Sequence, residues 1–245
     1  MGDKILVSSL SYLGYLLEAG LLLYLLRKGY ARRLWEVTFY LVTSLGVIAT
    51  RSYTLHRFGL ASSQYGYCYW TTDLLLVLAA FVVVGSFFRR ACSENNEMWR
   101  HVRLLLVTVL LLVLGISVFS LLHHSGQIFT SFIIEFQQNL YFACLVLNTL
   151  LYLLVMKMAV ADDRLGMLSC GLGIQFAGPA ACLAFYYLTG GDQFASTLTV
   201  FLLPLCDAGM TLTWFYAIAR VPRVAPVPRR AQEGGILAQG AVLHS

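Results

Sequence analysis

Apolar residues along this chain gather into long unbroken runs, with short basic or polar stretches between them. A helix that crosses the hydrocarbon core of a bilayer needs roughly 20 such residues, because every backbone polar group must be satisfied within the segment. The runs lie at Ile5 to Leu26, Leu34 to Thr50, Trp70 to Phe88, Val102 to Leu122, Phe129 to Met156, Leu165 to Leu188 and Ala195 to Ala219. The second is the shortest. Strands of a membrane barrel would instead be about ten residues long with alternating polarity. The pattern therefore predicts an all-α, polytopic seven-helix bundle over residues 1–220.

Composition points the same way. The chain is 59% hydrophobic and only 12% charged, whereas soluble domains carry about 25% charged residues. This is the profile of an integral membrane protein in contact with the lipid bilayer. The first run lacks a small-residue cleavage site and is followed by Arg27, Lys28, Arg32 and Arg33, so it reads as a retained helix rather than a signal peptide. Leu6 stands where N-myristoylation needs Ser or Thr.

Lysine and arginine set the expected orientation. One side carries Arg27, Lys28, Arg32, Arg33, Arg89, Arg90, Arg100, Arg103, Lys157, Arg164 and the arginines after Ala219; the other has Lys4, Arg51 and Arg57. That asymmetry predicts an outer N-terminus and a cytoplasmic C-terminus in the inner membrane. Beyond the bundle, residues 221–245 begin "VPRVAPVPRRAQEGG", which cannot continue a helix and has little to pack. A disordered basic tail is expected there. Its arginines favour anionic lipid by about 1 kcal/mol each, and ordinary positive-inside charge has the same composition.

The spans also contain polar residues. In "YCYWTTDLLL", residues 67–76, Asp73 heads an apolar run about one turn inside the outer end of the third span. Arg51 is its expected partner, with Glu135 and Gln138 at similar depth and Tyr67, Tyr69 and Trp70 as interfacial aromatics. Such an outer cluster either orients the helices or holds a ligand or ion. A deeper set comprises Glu18, Asn148, Gln175 and Asp207, with Thr199 and Thr211 bracketing Asp207 at helical spacing. Polar faces turn inward in a bilayer, so these residues are either a functional site or polar glue between helices. Pro204, just before Asp207, fits a broken-helix site and also an inert kink.

In the sixth span Ser169, Gly173, Ala177 and Ala181 recur every four residues, a smooth ridge for close helix packing or a dimer contact, and Pro179 is expected to kink the helix. The six cysteines are dispersed, mostly within spans, and predict no structural disulfide.

Several chemistries lack their residues. The histidines, His56, His101, His123, His124 and His244, sit at span ends, in loops or in the tail, which argues against a core haem held by paired histidines and leaves little for a metal site. No nucleophile elbow, zinc-protease helix or phosphate-binding glycine loop occurs. No basic face is offered to nucleic acid. No cofactor is expected.

The seven-span layout, with "YWTTDLLL" in the third span and "LCDAG" in the seventh, resembles microbial rhodopsins superficially. Retinal is argued against, because the Schiff-base position four residues after Asp207 is Thr211 and the lysines are Lys4, Lys28 and Lys157. The features "YLLEAGLLLYLLRKG", "YCYW" before an acidic third helix, and "FRRA" at its end resemble short seven-helix membrane proteins found in acidobacteria. That resemblance implies the same fold and brings no activity.

Two functions stay open. One is a non-enzymatic sensor of a small ligand or a subunit of a larger membrane assembly, with the basic loops and tail available to membrane protein partners. The other is a small permease or channel coupled to protons through Glu18 and Asp207. Asp207→Asn distinguishes them, since only the second loses transport.

Overall fold

The computed structural model describes residues 2–93, 95–123, 128–157, 163–188 and 193–220, among which all regular structure is α-helical. The seven helices are α1 (Gly2–Arg27), α2 (Trp35–Phe58), α3 (Ser63–Ala91), α4 (Asn96–His123), α5 (Ile128–Lys157), α6 (Asp163–Leu188) and α7 (Gln193–Ala219). All but α2 contain a stretch long and apolar enough to cross a membrane. The expected disordered tail falls outside the described residues.

Helix α2 departs most from the apolar pattern, continuing through Arg51 to Phe58. Its hydroxyls allow this. Thr50 Oγ1 donates to Gly46 O at 2.8 Å and Thr54 Oγ1 to Thr50 O at 2.8 Å, so polar side chains are satisfied by their own helix. Gly59 ends it at φ 78°, a left-handed conformation that glycine adopts without a Cβ penalty. Helix α3 starts earlier than its apolar run because Ser62 caps it, accepting from Tyr65 N at 3.1 Å. Asn95 caps α4 in the same way, accepting from Glu97 N and Met98 N, both at 3.1 Å.

Helices α1, α2 and α3 pack in sequence, α5, α6 and α7 do likewise, and α7 closes back onto α1. Helix α3 is central, touching α2, α4, α5 and α6, while α4 leans on α3 and α5 from outside. Leu25, Leu41, Val83, Phe87, Leu140, Leu151, Leu172 and Trp214 form part of one continuous core. Leucines such as Leu104, Leu111 and Leu153 point outward in quantity. A soluble bundle would bury that surface; here it meets the bilayer.

The expected ridge on α6 divides between two neighbours. Ser169 and Gly173 turn to α5, where a Cβ on Gly173 would lie 3.1 Å from Asn148 Nδ2, and Ala177 is exposed. The closest approach to α7 instead uses Gly171 and Gly178. A Cβ at Gly171 would lie 2.6 Å from Trp214 Cδ1, and one at Gly178 would lie 2.9 Å from Cys206 Sγ. Four-residue spacing finds one face of a helix, and α6 needs small residues on two.

Candidate functional site

Arg51 reaches from α2 to α3 and makes the outer cluster. Its Nη2 lies 2.8 Å from Asp73 Oδ1 and also donates to Tyr69 O at 3.2 Å. Nε donates to Thr72 Oγ1 at 2.8 Å, and the guanidinium carbon sits 4.2 Å from the Tyr69 ring centroid. The guanidinium thus divides its donors between a carboxylate and a hydroxyl and lays its plane by an aromatic ring, contacts a lysine ammonium makes less well. Tyr69 packs edge-on against Trp70, centroids 5.4 Å apart.

The second oxygen of Asp73, Oδ2, accepts from Gln137 Nε2 on α5. Gln137 was not among the expected partners. Its neighbour Gln138 lines the same space without a hydrogen bond to Asp73, and Glu135 is half-buried away from it. The signal for Gln137 was present: it stands one turn before Tyr141, so the two share a helix face.

These residues line a cavity of about 470 Å³ bounded by α2, α3, α5, α6 and α7. Its wall continues through Leu76, Tyr141, Gln175, Pro179 and Cys182 to Leu203, Cys206 and Asp207. Asp207 therefore belongs with Asp73 and not to a separate deep group. A smaller space of about 70 Å³ begins on the other side of Asp207 and Leu203 and runs to Ser11, Gly14, Tyr15 and Glu18 on α1, with Pro204 in its wall. A space needs only roughly 10–15 Å³ to hold a water, so this one is large enough for water. Glu18 is buried and accepts from Ser44 Oγ at 2.8 Å.

Two members of the expected deep set lie elsewhere. Asn148 is closed into a reciprocal pair with α6, its Nδ2 donating to Ser169 O at 3.0 Å and its Oδ1 accepting from Ser169 Oγ at 3.1 Å. Thr211 donates to the main-chain oxygen of Asp207 at 3.0 Å, back-bonding its own helix and leaving the carboxyl alone. The side chain of Thr199 and those of His123, His124 and His244 lie outside the described residues. Among the described residues no group of His, Cys, Asp and Glu has the arrangement of a metal site. All six cysteines carry free thiols.

Two glutamines give the cavity its chemical character. Gln137 Oε1 and Gln175 Oε1 are buried side-chain acceptors with no hydrogen-bond partner. Buried polar atoms are nearly always paired, and an orphan is costly enough to require a reason. Both orphans stand on residues of this one cavity wall.

Fold and site together define a multi-pass helical membrane protein with a cavity between its helices that carries a few polar side chains. Comparison with protein-family models, curated proteins and solved structures returned no match for this chain.

Proposed function

We propose that this protein binds a small molecule in the cavity between α2, α3, α5, α6 and α7, and acts without catalysis as a sensor or as the ligand-holding subunit of a larger membrane assembly. The observation that carries the reading is the 470 Å³ space itself, where the aromatic residues Tyr69, Trp70 and Tyr141 meet Asp207, Gln137 and Gln175, and both of these glutamines carry a buried side-chain oxygen with no hydrogen-bond partner. Mostly apolar and aromatic walls with a few convergent polar groups are the usual form of a ligand site. Native mass spectrometry of the protein extracted in mild detergent from its own membrane tests it. A retained small molecule that disappears in Leu76→Trp, which fills the cavity, is the expected result. Bare protein in both forms removes the reading.

In this proposal all seven helices span the inner membrane, N-terminus outside, and the basic tail rests on anionic lipid. Helix α2 qualifies despite its lower hydropathy because Ser44 and Arg51 turn inward to Glu18 and Asp73. Single reporter cysteines at Tyr30 and Leu60, in an otherwise cysteine-free background, should label from opposite sides of the membrane. Labelling from one side only would make α2 a non-spanning helix.

Proton-coupled transport is the second reading, favoured by Asp207, which lines both the cavity and the smaller space beside Glu18. Proteoliposomes with an internal pH dye decide between the two. The sensor reading expects no proton flux above protein-free vesicles; a flux that Asp207→Asn abolishes would establish a permease.

A further inference from the structure

Resting on the reading of the cavity as a ligand site, we propose that its ligand is a small organic cation bearing N–H donors, of the primary-amine class, with its ammonium group held by Asp207. The polar wall is made of acceptors that lack a charged donor. Gln137 donates through Nε2 to Asp73, which fixes the orientation of its amide and leaves Oε1 without a partner. Gln175 Oε1 is likewise unpartnered, and both residues are only 9% exposed. Pro179, one turn after Gln175, has no N–H to give the Gln175 carbonyl.

Charge selects among ligands more sharply than size. Arg51 is the single lysine or arginine in the wall, and it is committed to Asp73, Thr72 and Tyr69. Asp207 has no ion-pair partner among the described residues. An anion entering here would meet two carboxyl groups and no free cation. A neutral apolar molecule would leave the Asp207 carboxyl without a counter-charge. An ammonium brings three donors and a positive charge to a carboxyl in low dielectric, where the attraction is strongest. Trp70 and Tyr141 add aromatic surface that favours a cation and packs its organic part, the Tyr69 ring being already engaged by Arg51.

The test uses the full-length protein in mild detergent, with benzylammonium as probe and benzyl alcohol and benzoate as neutral and anionic controls of the same shape. Binding is read as the shift in thermal unfolding midpoint and as the change in tryptophan emission. Benzylammonium should bind saturably, and Asp207→Asn should weaken it at least tenfold. Gln175→Met, which keeps the side-chain volume and removes the amide that hydrogen-bonds the Asp207 carboxyl, should weaken it severalfold and serves if Asp207→Asn does not fold. Benzyl alcohol and benzoate should bind at least tenfold more weakly than benzylammonium.

Equal binding of benzyl alcohol, abolished by Leu76→Trp, would overturn the cation assignment while keeping the cavity as a ligand site. Failure of benzylammonium to bind overturns the assignment whatever the controls do. Failure of all three probes, with bare protein in native mass spectrometry, would bring down the ligand-site reading as well.

Discussion

Arg51 and Asp73, on different helices, meet at 2.8 Å in a partly buried ion pair whose guanidinium also covers the ring of Tyr69. Removing one partner strands the other. Asp73→Ala leaves Arg51 without its carboxylate, and we expect a loss of about 2 kcal/mol, below the 3 to 5 kcal/mol of fully buried pairs because water still reaches this one. Arg51→Met combined with Asp73→Leu should restore most of that loss. Thermal unfolding in detergent of the two single variants and the double variant measures the coupling; strict additivity would mean that the pair contributes no interaction energy.

Gly171 sits where α6 packs tightly against α7. A Cβ there would press on the buried indole of Trp214, whose Nε1 donates to Leu168 O at 2.9 Å and which also packs edge-on against Tyr40. Gly171→Ala should cost about 1 to 3 kcal/mol, the range for overpacking a tight interior. Gly115→Ala, where a Cβ would meet nothing within 4 Å, is the control and should be neutral or slightly stabilising. Equal unfolding midpoints for the two variants would contradict the close approach.

Asn148 has the polarity of a site residue and the geometry of a fastener. Its two bonds to Ser169 join α5 to α6, away from the cavity wall. Interhelical hydrogen bonds in membranes average about 0.6 kcal/mol each, so Asn148→Ala should lower stability by about 1 kcal/mol and leave benzylammonium binding at its original strength. Loss of binding in that variant would return Asn148 to the site.

Cys92 lies just past the end of α3 and is almost wholly buried. Burial pushes its thiol up from the ordinary cysteine value. A raised pKa means less thiolate, the reactive form, at neutral pH. A maleimide should therefore label Cys92 slowly at pH 7.5 in the folded protein, faster as the pH rises past the range where free thiols ionise, and at the free-thiol rate once the chain is unfolded in SDS. Folded-state labelling at pH 7.5 as fast as a free thiol would show that the α3 end is open.

Long apolar runs were enough to indicate helices in lipid, because a bilayer rewards hydrophobicity residue by residue and requires each span to satisfy its own backbone. The same local rule explains why the weakest run, Leu34 to Thr50, corresponds to the one helix that is not apolar enough on its own to count as a span. The Arg51–Asp73 pair was legible too, since two opposite charges at matching depth have few other partners. Pairing with Gln137 in place of Gln138, the closure of Asn148 onto Ser169 and the division of small residues between Gly171 and Gly173 depend on how each helix is rotated about its axis. Rotation is set by contacts between side chains far apart in sequence, and periodicity within one helix does not specify it. Composition and charge thus determined that the chain is a helical membrane protein with acids in its interior. Only the tertiary packing brought Asp73 and Asp207 to one cavity and left two glutamines of its wall with a buried oxygen that has no donor.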